Sequence, residues 1–105
     1  MSVLRQLKAL EWLEPWGLVT HKRALELEKE LRRELSWRHD LSGRKCEAVA
    51  ARGDEEVIAF IVDSVNLAIV QLTWSAESNT LFPSTTELSP PKFVEQMRAD
   101  HDALG

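Results

Sequence analysis

The chain lacks tyrosine altogether, has one cysteine and four glycines, and contains no apolar run near the ~18 residues that a membrane-spanning helix needs. Each shortage excludes something. With Cys46 alone, no internal disulfide can form, and a reducing, cytoplasmic setting is the economical expectation. A glycine-rich phosphate loop, a nucleophile elbow and a paired-cysteine metal site are all missing, so no cofactor is expected and an enzyme is not the first reading. Basic residues are also in deficit, with 13 Lys and Arg against 17 Asp and Glu, a formal net charge of −4. A generic binder of phosphate backbones carries the opposite sign, so neither nucleic acid nor membrane is expected as a partner. Arg5 and Lys8 interrupt the start of the chain too early for the apolar stretch of a secretory leader, and export is not expected.

What is present is the patterning of one α+β domain over residues 1–105: two N-terminal helices, an antiparallel meander of three to four strands and a C-terminal helix. Val3, Leu7 and Leu10, with Leu4 and Leu13 beside them, predict an amphipathic helix over about 3–14, stopped by Pro15. Trp16-Gly17 reads as a break. Thr20 is positioned to cap a second helix over about 21–37, with Ala24, Leu27, Leu31 and Leu35 as its buried stripe. The charge run Glu26–Arg33 reads as a solvated face, with Glu28–Arg32 and Glu34–Arg38 as i,i+4 pairs. Small and β-branched residues then take over, predicting strands at about 45–52, 56–63 and 67–74. The middle strand, Val57–Val62, is apolar on both faces and requires cover on both. Pro83 restricts any fourth strand, at about 85–88, to an edge. Ser89-Pro90-Pro91 starts a final helix over about 90–103, with Phe93, Met97 and Leu104 turned inward.

Candidate functional residues are few. Trp12 and Trp16 lie off the regular stripes, where an indole either staples the N-terminal segment to the body or anchors a partner. Trp74 closes an apolar strand face and Trp37 ends the second helix's stripe, which reads both as core. Asp54, Glu55 and Glu56 form an acidic turn, either simply solvated or able to steer a basic partner into contact. His39, Asp100 and His101 are weak candidates for a metal, conditional on the turn after the second helix meeting the last helix. Adjacent helical residues point about 100° apart, so Asp100-His101-Asp102 cannot chelate as a triplet.

Leu72-Thr73-Trp74-Ser75, then Phe82-Pro83-Ser84-Thr85, then Phe93 and Met97-Arg98-Ala99-Asp100-His101 resemble a group of small bacterial cytoplasmic proteins. In that group a strand ending in a Leu-Thr-Trp-Ser-like motif precedes a proline-threonine segment and a helix ending in Asp-His. Members often carry histidine where this chain has Gln71, which removes any histidine chemistry from that strand here. Some resemble immunity proteins of toxin systems, so the resemblance implies a non-catalytic inhibitor that occludes a bacterial toxin, a basic one if the acidic turn steers it. The other classes the residues leave open are a homodimeric interaction or scaffold module and a small metal-dependent enzyme.

Overall fold

A computed structural model describes residues 3–35, 39–53, 57–72 and 84–104. Its elements run α1 (Val3–Lys8), β1 (Trp16–Leu18), α2 (His21–Glu34), β2 (Cys46–Arg52), β3 (Val57–Val62), β4 (Asn66–Gln71), β5 (Ser84–Leu88) and α3 (Pro90–Asp102). The five strands form one antiparallel sheet in chain order, β1-β2-β3-β4-β5. The α+β class and the meander follow the sequence expectation, and the edge strand after Pro83 is β5.

The period of two in β3 divides the core. Ile58, Phe60 and Val62 join Ala24, Leu27 and Leu31 of α2 on one face, while Val57, Ala59 and Ile61 join Leu7 of α1 and Phe93 and Met97 of α3 on the other. All six β3 residues are buried, as a strand covered on both faces must be. The sheet is therefore the middle of three layers, with α2 alone against α1 and α3.

Strand β2 does not alternate cleanly, because a bulge at Val49 shifts its register from Ala48↔Phe60 to Ala50↔Ala59. Ala48 faces the α2 side, whereas Val49 and Ala50 both belong to the opposite cluster. The extra residue inverts the facing pattern of the rest of the strand. Two bonds hold the bulge: the Val19 amide donates to the Val49 carbonyl at 3.1 Å, and the Ala48 amide donates to Glu28 Oε2 at 3.0 Å. On the other side, Asp63 and Ser64 take positive φ values of 52° and 63°, and the Val65 amide donates to the Val62 carbonyl. This pair of left-handed residues matches the twist of a tight hairpin.

Five expectations need correction. The second helix ends at Glu34, not near residue 37, with half-buried Leu35 in extended backbone as its cap. The first helix ends at Lys8, not at Pro15. The indole of Trp12 donates to the Leu7 carbonyl at 3.0 Å, the acceptor that the Glu11 amide would need for the helix to continue. Trp16-Gly17 is not a break: it is the start of β1, paired as Trp16↔Arg52, Gly17↔Ala51 and Leu18↔Ala50. Three residues are too few for a strand pattern to show against their neighbours. Leu104 is 55% exposed, because α3 ends at Asp102 and the chain turns before Leu104 can complete the inward stripe.

The face Glu26–Arg33 is only partly solvated, since Glu30 and Glu34 are both buried. Arg33 makes this possible for Glu30, donating to both carboxylate oxygens at 2.9 and 2.6 Å and holding that carboxyl below its usual range. Glu28 is spent on Ala48 rather than on Arg32, and Arg38 lies outside the described residues. The Thr20 cap is formed as expected, with Thr20 Oγ1 accepting from the Arg23 amide at 3.1 Å.

Candidate functional site

The residues singled out from the sequence separate into two groups on opposite layers. Trp16 is buried, and its ring meets Phe93 edge-on at 5.2 Å and 77°; Trp12 is half-buried and tilts against the same ring at 5.9 Å. The Trp16 indole donates to Asp100 Oδ2 at 2.7 Å, Gln96 donates to Asp100 Oδ1 at 2.9 Å, and Arg52 lies 3.7 Å from the same carboxylate. His101 Nδ1 donates to the Glu14 carbonyl at 2.7 Å. Asp100 and His101 thus clamp the entry to β1 onto α3. Both indoles pack the N-terminal segment against α3 through Phe93, and Trp16 is buried there while Trp12 keeps part of its surface open.

His39 sits elsewhere. Its turn delivers Leu41 to the α2-side core, and its Nδ1 accepts the Leu41 amide at 3.1 Å, which places the ring proton on Nε2 when the ring is neutral. The condition for a shared metal site is not met, because the turn after α2 and the end of α3 belong to different layers. Among the described residues no group of three or more His, Cys, Asp and Glu side chains could hold a metal ion. Cys46 is half-buried beside the α2-side core, and burial pushes its thiol up, away from the thiolate form a nucleophile needs. Asp54, Glu55, Glu56, Trp37 and Trp74 lie outside the described residues.

A second polar cluster closes the far end of the sheet and had no signal in the sequence. Arg44 donates to Asp63 at 2.8 Å and to both oxygens of Glu87 at 2.8 and 3.1 Å; Lys45's amide also reaches Asp63, and Asn66 reaches Glu87. Residues 19 and 43 positions apart from Arg44 meet only because β2, the β3–β4 turn and β5 end together. Hydrogen bonds from Arg44 hold both carboxyls below their ordinary range. A carboxyl whose folded pKa is depressed adds stability above its unfolded value, and that stability is lost as the pH falls through the folded value. The protein is therefore expected to lose stability as the pH drops below about 4.5, and Arg44→Met to flatten that slope in urea melts taken across this range. An unchanged slope would show that solvent screening leaves the network without effect.

One surface left open among the described residues is a groove of about 520 Å³ bordered by α1, β1, α2 and β2, with Leu4, Leu18, Val19, Leu25 and Val49 among its lining residues. Leu18 and Leu25, on two different elements, are 44% and 53% exposed into it. This volume is within the range of pockets that bind ligands or partner side chains. Sequence reasoning passed over both leucines. Leu25 stands one position off the Ala24–Leu27–Leu31 stripe, and that offset was the available signal. A smaller cleft of about 220 Å³ lies beside the Asp100 clamp, but its Gln96 and Asp100 are engaged with each other.

The fold and site together define an α+β domain, three layers deep, with an apolar groove at one sheet edge. Compared with known proteins, the chain matches no family model, no curated protein and no solved structure. Among the described residues no helix is long and apolar enough to cross a membrane.

Proposed function

We propose that the protein is a non-catalytic protein-binding domain, and in its most concrete form an immunity-type inhibitor that occludes a bacterial toxin. The observation that carries this reading is the groove with two leucines exposed, on a scaffold where Asp100, His101, His39 and the Trp16 indole are engaged within the fold. His101, Asp100 and the Trp16 indole all serve the clamp on β1, and His39 serves its own turn. Apolar side chains gathered in an exposed recess with a polar rim mark an interaction site, and a specific complex would bury about 800 Å² on this side.

A pull-down from the source cell, with the bait's mass measured by light scattering, tests the reading. The native chain should recover one stoichiometric partner whose activity falls on binding, and Leu18→Asp with Leu25→Asp should lose it. Equal recovery by the double variant would overturn the groove as the contact. A dimer of the native chain that the same variant dissolves would instead establish a homodimeric interaction module.

A further inference from the structure

The two edges of the sheet differ in kind. β5 carries the charged Glu87, the sort of residue that keeps edge strands apart, whereas residues 16–20 along β1 read Trp-Gly-Leu-Val-Thr, with neither charge nor proline. Which backbone groups of that segment stay open follows from its ladder with β2. The Gly53 amide donates to the Pro15 carbonyl at 2.9 Å and the Val19 amide to the Val49 carbonyl at 3.1 Å, so Pro15, Gly17 and Val19 turn toward β2. Trp16, Leu18 and Thr20 then turn outward, because successive residues of a strand address opposite neighbours.

Two of the outward groups are used inside the chain. The Trp16 amide donates to the Leu13 carbonyl at 3.0 Å, and the Thr20 carbonyl accepts from the Ala24 amide at 2.8 Å. Among the described residues the other four have no partner: the Trp16 carbonyl, the Leu18 amide and carbonyl, and the Thr20 amide. Thr20 is still extended, at φ −69° and ψ 160°, so the edge continues to the start of α2.

This set of donors and acceptors is complementary to itself. Placed antiparallel about a two-fold axis at Leu18, two copies exchange the Leu18 amide and carbonyl in both directions, and each Thr20 amide meets the other copy's Trp16 carbonyl. No open group is left over, and the two committed groups are the ones this pairing does not need. Leu18 is 44% exposed and would lie directly against its own copy as an apolar cross-strand pair. Resting on the protein-binding reading above, we infer that the partner of the β1 edge is a second copy of this chain, paired β1 to β1 so that one sheet runs through both copies. A foreign strand can use the same four groups, but only a second copy sets residue 18 opposite itself.

Sedimentation equilibrium of the full chain tests the inference. The native chain should form a concentration-dependent dimer. Thr20→Pro suits the φ of −69° and removes the Thr20 amide, while Thr20→Ala loses the same side-chain cap on Arg23 and keeps the amide. Thr20→Pro should therefore weaken the dimer about thirtyfold relative to Thr20→Ala, through two lost hydrogen bonds. Leu18→Lys and Leu18→Glu should each be monomeric, and their equimolar mixture should dimerise again as opposite charges meet on the axis. A native chain that stays monomeric at submillimolar concentration, equal dimers for Thr20→Pro and Thr20→Ala, or a mixture that fails to associate would overturn the inference. The two readings fail separately, since Thr20→Pro leaves Leu18 and Leu25 in place. A monomeric native chain that inhibits a cellular toxin keeps the protein-binding reading and removes the edge pairing. A dimer opened by Thr20→Pro, with no cellular protein inhibited by either form, keeps the pairing and removes the inhibitor.

Discussion

Replacing Phe93 by alanine is expected to cost about 4 kcal/mol, near the upper end for truncation of a single core side chain. The ring is fully buried and lies between α3 and the sheet, with the indoles of Trp12 and Trp16 at 5.9 and 5.2 Å. Its removal would deprive both indoles of their ring contact and leave a cavity that three separate elements would have to collapse to fill. In a domain of this size a loss of that order lowers Tm by roughly 15–30 °C. The check is a thermal and urea melt alongside Leu104→Ala, which truncates an exposed side chain of the same segment and should change stability by less than about 0.5 kcal/mol. A Phe93→Ala cost below about 1 kcal/mol would contradict the packing described.

The second large effect is expected at Asp100. Its carboxylate accepts the Trp16 indole proton on one oxygen and the Gln96 amide on the other, with Arg52 at 3.7 Å. Asp100→Leu leaves a buried indole N–H without an acceptor, at an expected cost of about 2–3 kcal/mol. Asp100→Asn retains one oxygen for the indole and should lose about half as much. The contrast separates the hydrogen bond from simple packing, since leucine fills the space as well as asparagine does. Tryptophan emission gives an independent readout: Asp100→Leu should shift it as Trp16 rearranges, and Asp100→Asn should shift it little. Equal losses in the two variants would show that the indole bond contributes nothing.

Phe93 was expected to turn inward, but the sequence could state the roles of the groups that meet it and of Asp100 only as alternatives. Trp12 and Trp16 stood open as staples or as partner anchors, because a sequence does not tell where an off-stripe indole points. Asp100 and His101 stood as metal candidates for the same reason. Their partners are 84 and 87 residues away along the chain, at Trp16 and Glu14, and only the packing of α3 against β1 joins them. The Arg44 cluster is a further case of groups far apart in the chain brought together at one end of the sheet.

The groove was less legible still. Leu25 looked like one more leucine in a leucine-rich helix, and β1 is three residues long, too short for alternation to announce it. The charges around the groove were visible as a run, but not which were spent. Glu28 is tied to the sheet only because the bulge at Val49 presents the Ala48 amide to it.

By itself the sequence determined what depends on neighbours within a few residues. The stripe Ala24–Leu27–Leu31, the Thr20 cap, the doubly apolar Val57–Val62 strand and the Ser89-Pro90-Pro91 helix start all act through local period and backbone preference, and all four stand in the structure. Tertiary structure alone decided where α1 stops, that Trp16 begins a strand, which carboxylates are buried, and which leucines remain exposed. Those outcomes depend on competition for one acceptor, one edge or one patch of apolar surface between segments distant in the chain. No local pattern encodes who wins such a contest, because the winner is set by the whole arrangement that folding brings together.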